Sequence, residues 1–548
     1  MALRIPQGMQ MLKDGYKHLQ GVDEAVLRNI TAVHDLSEIT RTSFGPNGRN
    51  KIIINHLEKL FVTNDAATIV RELEVVHPAA KLLVMASQQQ ESEMGDASNL
   101  VSIVTGALLQ KAEYLLRMGL HPSEIVQGYE VALTKALEIL ETLAVEELTV
   151  AQVRSREGLY PAVRTSIGAK QFGNEETLTD LVVEAALAVM PKDEAHFNVD
   201  NIRVVKIMGS SLYESRVVRG MVFGRSPEGV ITNASKAKVA VFTCPLDVAQ
   251  TETKGTVLIH NANEMLDFTK GEEKHMETML KTLADAGVKV VVTGAGVGEL
   301  ALHYLNRFGI LVVKVMSKFD LRRLCRVTGA TALARVGAPM AEEMGYCDVV
   351  ESVEIGGDRV TVFRQEAEGV SKTATIVLRG ATQNHLDDLE RAVDDGVNVV
   401  KVLIKDRRLC AGAGATEMEL LKRLLAQGER TPGLNQHAIK KFAEALEVIP
   451  RTLAENAGLD ATEVLGKLYA AHHQDDRGIM GVDVESEKHE IIDAKAAGIV
   501  DTLSAKISAI RLATETALTI LRVDQIIMSK PAGGPKMPKQ NQGHWDED

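Results

Sequence analysis

The two ends of this 548-residue chain share one texture, and the middle has another. From about Gln10 to Leu143, long apolar-periodic segments such as Glu124 to Leu143 predict helices broken by short turns. The same texture returns from about Thr416 to Met528, most clearly at Lys440 to Leu446 and Leu503 to Leu521. Between about Val199 and Leu378 the chain breaks into short β-rich runs, among them Arg203 to Ile207, Val239 to Thr243 and Thr375 to Leu378. Like ends around an unlike middle predict a helical domain made from both termini, with an α/β region inserted through a small connecting domain. Length agrees, since a single core stops growing near ~250 to 300 residues and two to four domains are expected.

Within the middle, Met276, Met279, Leu280 and Leu283 have the spacing of one buried helix face, and Gly287 can end that helix before a strand at Val288 to Thr293. A second helix ending at Gly309 then leads to Ile310 to Val315, which completes a βαβ pattern. The tail from Lys530 to Asp548, rich in Pro, Gly, Lys and polar residues, reads as disordered.

A formal charge of -12 argues against a surface built to neutralise nucleic-acid phosphates. Cys244, Cys325, Cys347 and Cys410 lie far apart without a C-x-x-C pair, so neither a disulfide framework nor a zinc site is predicted. The first residues lack the apolar core of a secretory signal, and no uncharged run approaches the ~20 residues of a membrane span. These features predict a cytoplasmic protein without nucleic-acid or membrane partners. H-E-x-x-H and G-x-S-x-G are absent, and His472-His473 reads as the polar end of a helix.

The chemistry-bearing residues fall in turns. Phe44-Gly45-Pro46-Asn47-Gly48 sets one dihedral with proline and lets a ligand approach backbone N–H groups at its glycines, or is a plain structural turn. At Gly95-Asp96-Ala97-Ser98-Asn99 an aspartate precedes a helix starting near Asn99. A helix N-terminus attracts phosphate and a carboxylate can hold Mg²⁺, although the motif is equally an N-cap. Asp65, in a Thr-Asn-Asp turn, and Asp395, in Arg391-Ala392-Val393-Asp394-Asp395-Gly396, are candidates for orienting a water or are solvated carboxylates. Ala411-Gly412-Ala413-Gly414-Ala415 precedes a helix and allows either a nucleotide or another helix close to its backbone. Gly294-Ala295-Gly296-Val297-Gly298 sits where a dinucleotide fingerprint would. Its spacing is not G-x-G-x-x-G, and the next strand ends in Lys314, Met316 and Ser317 rather than an acid, which predicts an ordinary βα turn.

Taken in order, the Gly-Pro-x-Gly, Asn-Asp-x-Ala-Thr, Gly-Asp-x-x-Asn and Glu-Arg-x-x-x-Asp segments, with a Gly-rich turn before Glu-Met-Glu-Leu, resemble a group II chaperonin over nearly the whole chain. Asn55 to Leu60, Phe197 to Arg203 and Leu521 to Met528 resemble one subunit type of the eukaryotic cytosolic branch. The resemblance implies an α/β multidomain fold: an equatorial domain at 1–148 and 402–548, an intermediate domain at 149–216 and 373–401, and an apical, substrate-contacting domain with a helical protrusion at 217–372. It implies an ATPase that closes a cavity over unfolded or nascent cytosolic proteins, in a double hetero-oligomeric ring with related subunits.

Its implied ligands are ATP and Mg²⁺. Phe44, Gly45 and Pro46 would lie beside the nucleotide, Asp96 would hold Mg²⁺, and Ala97, Ser98 and Asn99 would hold phosphates. Asp65 and Asp395 would position the attacking water. Gly168, Ala169 and Lys170 match the nucleotide-sensing loop, and Gly412, Asp501 and Lys506 map to the adenosine end. The family pattern carries glycine where this chain has Ala66, Ala97 and Ala413. A left-handed Ala97 would cost roughly 1 kcal/mol relative to glycine and weaken turnover. A weakly or non-hydrolysing subunit of the same ring is therefore the alternative reading, and a nucleotide-dependent dehydrogenase built on the Gly294 turn is a distant one.

Overall fold

The computed structural model describes residues 17–20, 25–247, 260–366, 372–474, 478–485 and 490–528. After strand β1 (Lys17–Gln20), the chain runs through α1 (Leu27–Arg41), a hairpin of β2 (Lys51–Ile54) and β3 (Leu60–Thr63), then α2 (Ala66–Glu72), α3 (Pro78–Glu93), α4 (Ser98–Arg117) and α5 (Pro122–Thr142). The sequence reading of this stretch as helices and turns missed the hairpin. Lys51-Ile52-Ile53-Ile54 is a short β-branched run whose Ile52 and Ile54 point outward, so it alternates as a strand does.

Next come β4 (Glu146–Glu147), α6 (Val150–Val153), α7 (Arg156–Gly168) and α8 (Glu175–Val189). The middle of the chain supplies β5 (Ile202–Met208), β6 (Arg216–Phe223), β7 (Asn233–Phe242), α9 (Ala262–Asp285), β8 (Val288–Thr293), α10 (Glu299–Arg307), β9 (Leu311–Lys314), α11 (Lys318–Thr328), β10 (Ala332–Leu333), β11 (Gly345–Ile355), β12 (Asp358–Arg364) and β13 (Ala374–Gly380). The long α12 (Gln383–Lys405) and β14 (Arg408–Ala411) lead back to helices: α13 (Ala415–Arg430), α14 (Asn435–Leu446), α15 (Val448–Ala457) and α16 (Ala461–Gln474). The chain closes through β15 (Met480–Val482), β16 (Ile491–Asp493), β17 (Val500–Thr502), α17 (Leu503–Leu521) and β18 (Gln525–Met528), the last paired antiparallel with β1. The tail read as disordered lies outside the described residues.

One apolar core joins residues of both chain ends, from Val26 to Leu143 and from Cys410 to Leu521. At its centre α4 is buried on nearly every face, through Val101, Val104, Leu108, Ala112 and Leu115, as expected of a helix apolar all round. It packs against α1, α14 and α17. A second core lies between α7, α8, α12 and the strand β13, around Ile167, Val182, Leu386, Val393 and Val400. The β-rich middle forms a mixed sheet in the order β5-β13-β6-β12-β11-β7-β8-β9, with β10 on β7. Met276, Leu280 and Leu283 of α9 are buried against it as the spacing predicts, Met279 of the same expected face is only half-buried, and Gly287 follows that helix at φ +81°. At the glycine-rich turn after β8, the Ala295 N–H donates to Thr293 Oγ1 at 3.2 Å, and a Cβ on Gly298 would fall 2.4 Å from Asp247 Oδ1. Those glycines serve a tight βα turn.

His472 corrects the sequence reading. It is 2% exposed, with Nδ1 3.1 Å from Glu419 Oε2 and Nε2 2.8 Å from the Met480 carbonyl, so it ties α16 to α13 and β15 instead of ending a helix in solvent. Among the described residues no helix is long and apolar enough to cross a membrane.

Candidate functional site

A cavity of about 320 Å³ opens where the helical core, the α7 terminus and the β15–β16 hairpin meet. One wall is the turn between α3 and α4. Gly95 takes φ +73°, and a Cβ there would lie 2.3 Å from Asn398 Cβ, so glycine serves both the turn and the close approach of α12. Ala97, the N-cap of α4, is left-handed at φ 63°, ψ 21°. It offers no side-chain cap, so the first amides of a 20-residue helix, at Ser98 and Asn99, stay available to an anion at the positive end of the helix dipole. Asp96 Oδ1 accepts the Ala97 N–H at 2.7 Å, and the Asp96 carbonyl accepts from Gln90 Nε2 at 3.0 Å, which fixes the turn from behind.

Opposite stands Phe44-Gly45-Pro46. Gly45 has φ +81°, and a Cβ there would fall 2.6 Å from Leu453 Cδ2. The Phe44 carbonyl accepts from Asn456 Nδ2 at 2.8 Å. The Thr-Asn-Asp turn before α2 places Asp65 as N-cap, its Oδ2 accepting from the Thr68 N–H at 3.1 Å and Thr68 Oγ1 at 2.7 Å. Ala66 is simply the first residue of that helix, with negative φ, so its departure from glycine carries no strain.

Three candidates far apart in sequence meet at one ammonium. Lys170, just past α7, donates to Asp65 Oδ1 at 2.9 Å and pairs with Asp395 Oδ2 from the middle of α12. Both carboxylates are almost fully buried, at 3% and 2% exposure. Burial works against the charge on Lys170, but Asp395 and Asp65 outweigh it and hold the ammonium protonated. Burial likewise pushes the Asp65 carboxyl up, and the Lys170 charge with the Thr68 hydrogen bonds reverses this and leaves it at about 2. Burial raises the carboxyls of Asp96 and Asp395 and takes that of Glu91 to about 7, with the surrounding carboxylates adding to it. One lysine stands among four acids, two of them almost fully buried, so burial and mutual repulsion favour the protonated forms of Glu91, Asp96 and Asp395 while Asp65 stays charged.

At the other end Lys506 is buried in α17, 2.9 Å from Glu417 Oε1 and 3.0 Å from Asp501 Oδ2. Gly412 stands behind this wall instead of on the cavity surface: its N–H donates to the Ile499 carbonyl at 3.0 Å, and a Cβ there would lie 3.4 Å from Asp501 Oδ2. Ala413 and Gly414 are both left-handed, at φ 51° and 77°. Asp395 also lies behind the lining and reaches the cavity through Lys170. The other sequence candidates, from Phe44 through Lys506, line it.

Several lining residues were not found from the sequence. Asn64 Nδ2 donates to the Lys170 carbonyl at 2.9 Å while its buried Oδ1 has no hydrogen-bond partner. Asp483 and Glu485 arrive on the β15–β16 hairpin, and Glu417 holds Lys506. The doubled Asn64-Asp65 in a turn was the one local signal; the others depend on long-range folding.

A Mg²⁺ carried on a polyphosphate needs one or two carboxylates, not an all-protein cage. Asp96 suits that role, since it is half-buried at the cavity wall without a cationic partner in hydrogen-bond contact and sits beside free helix amides.

The sequence pattern of the TCP-1/cpn60 chaperonin family matches residues 36–531. The chain belongs to that family. The chaperonin is 63% identical to the probable T-complex protein 1 subunit theta of Schizosaccharomyces pombe, with both chains covered in full. It is 54% identical to the T-complex protein 1 subunit theta of Bos taurus and to that of Saccharomyces cerevisiae, again over all of each chain. The Gly294 turn of the chaperonin lines no part of the cavity described above.

Proposed function

We propose that this chaperonin is a theta-type subunit of a cytosolic double ring of related subunits, and that it binds and hydrolyses ATP to drive closure over unfolded or nascent proteins. The observation that carries this reading is the bridge of Lys170 to Asp65 and Asp395 beside an uncapped helix N-terminus. ATP with Mg²⁺ would supply a phosphoryl group and the cation that neutralises it. Ser98 and Asn99 amides bind phosphate oxygens, Asp96 holds the cation, and Phe44, Gly45 and Pro46 with Gly168 and Ala169 flank the ligand. Lys506 and Asp501, with Gly412 behind them, shape the adenosine end. Asp65 accepts a hydrogen bond from a water and orients it, while Asp395 acts on that water from behind the lining through Lys170, which suits a reaction that depends on positioning and charge more than on a covalent nucleophile.

In the proposed division, the two-ended core is equatorial, the α7–α8–α12 core with β5 and β13 is intermediate, and the rest of the mixed sheet, at 217–372, is apical. Lys170 ends an intermediate helix and Asp395 lies within another, whereas Asp65 is equatorial. The pair therefore reports to both sides of a hinge, and a γ-phosphate competing for Lys170 would loosen one link between them. The left-handed Ala97 favours a second reading, a subunit that binds nucleotide and turns it over slowly.

The direct test is the native mass of the complex purified from its source, with its chains identified. A mass of a double ring with related subunits is expected, and a lone monomer free of them would overturn the proposal.

A further inference from the structure

A second cleft, of about 580 Å³, is formed with the last turns of α12 and shares no lining residue with the nucleotide cavity. Its walls carry Arg154 from the end of α6, Lys192 and Glu194 from the segment after α8, Lys401 and Lys405 from the last turns of α12, and Arg407. Five cationic side chains there face two carboxylates, Asp193 and Glu194. The carboxylates are engaged. Glu194, its side chain 12% exposed, accepts from Arg154 Nε at 2.7 Å and stands 4.0 Å from Arg407 Nη2; Asp193 pairs with His196 at 3.1 Å. Arg154 also donates to the carbonyls of Pro191 at 2.9 Å and Lys192 at 2.7 Å, so it builds the wall. Lys192 and Lys405 have no ion pair among the described residues, and Arg407 has only the long contact to Glu194.

A cation on the last turn of a helix is ordinary, because it faces the negative end of the dipole. This arrangement goes further. Lys401 and Lys405 are like charges four residues apart, a spacing that destabilises a helix, and burial together with Lys405 lowers the affinity of Lys401 for its proton. Lys192 and Arg407 are brought from other segments to the same concave surface, whose floor is Val150, Phe197 and Ile404. Positive charge gathered on one concave surface raises the local potential and concentrates anions there. We propose that this cleft is a binding site for a small anion bearing two or more phosphate groups, held by Lys192, Lys405, Lys401 and Arg407.

The site connects physically to the nucleotide turn. Lys401 Nζ donates to the Glu93 carbonyl at 3.1 Å, two residues before Gly95, and Asn398 of the same helix packs on Gly95. Asp395 lies less than two turns further back along α12. An anion drawing on Lys401 competes with that carbonyl, and by linkage its affinity depends on how the nucleotide site is filled.

The test uses the assembled complex with its nucleotide sites saturated by ADP and Mg²⁺, titrated calorimetrically with inorganic tripolyphosphate. Wild type should bind one more tripolyphosphate per copy of this chain than a complex carrying Lys192→Gln/Lys405→Gln in this subunit, or at least ~10-fold more tightly there, and more weakly as salt rises. Lys192→Arg/Lys405→Arg should restore binding. Should the double variant fail to assemble, the exposed single change Lys192→Gln is expected to weaken binding by at least ~3-fold. Identical isotherms for wild type and the glutamine variants, or a loss that arginine does not recover, would overturn the site.

Discussion

Lys170 and Asp65 stand 105 positions apart in sequence and 2.9 Å apart in space, with the lysine backbone carbonyl also held by Asn64. Side chain and main chain of one residue are thus tied to a single turn before α2. Asp395 completes the contact from a third element, so the three groups act as one buried unit whose members cannot be changed independently.

Asp395→Ala should lower hydrolysis at this site by at least ~100-fold while ATP affinity changes little, because the carboxylate reaches the cavity through Lys170 and not through the phosphate turn. Single-site turnover and nucleotide binding, measured in complexes whose other sites are inactivated, check this. Unchanged hydrolysis would remove Asp395 from the proposed machinery.

Ala97→Gly should relieve a left-handed alanine worth about 1 kcal/mol, raising turnover up to about 5-fold if the strain is expressed in the transition state, or tightening ATP binding if it is expressed in the bound state. Ala66→Gly is the contrast. At the start of α2 it removes no strain and costs up to about 1 kcal/mol of helix stability, visible as a lower melting temperature. Equal responses of the two variants would contradict the backbone geometry.

The Glu91 carboxyl is pushed by burial to about 7, above its unfolded value. Its contribution to stability is therefore complete below about pH 4.5 and is lost as pH rises through about 7. Glu91→Gln should raise the melting temperature at pH 8 and leave it nearly unchanged at pH 4.5. Asp65, held at about 2, runs the other way: its contribution is present above about pH 4 and is lost as pH falls toward 2. A gain for Glu91→Gln that is the same at both pH values would mean the side chain is not the titrating group.

Lys506→Met should cost about 3 to 5 kcal/mol, because Glu417, 2% exposed, is left buried without its cation. Adding Glu417→Gln should recover most of that loss. Chemical denaturation or hydrogen exchange of α17 measures both, and a double variant no more stable than the single one would show that the pair is not coupled.

Much of the site was legible because turns keep their chemistry local. Phe44 to Gly48 and Gly95 to Asn99 are short runs whose backbone needs announce them, whereas Gly168 to Lys170 were found only through the family resemblance. Asp395 was visible only as one aspartate in a helix, and nothing local distinguishes it from Asp394. Glu91 was hidden inside Gln88-Gln89-Gln90-Glu91, a polar run in which nothing local marks one carboxylate. His472 was misread for the same reason: its partners Glu419 and Met480 come from elements that only tertiary packing brings near. The hairpin β2–β3 was lost because four residues are too few for periodicity to separate strand from helix.

The core that α4 shares with α14 and α17 has a consequence for synthesis. Helices α1 to α5 leave the ribosome long before Cys410 and the residues after it can cover them, and the β1–β18 pairing waits for nearly the last described residue. At ordinary elongation rates this interval lasts on the order of tens of seconds, during which Leu108, Ala112 and Leu115 have no partners from the C-terminal half. A nascent copy of this chaperonin is thus itself a slow, sticky polypeptide in need of shelter.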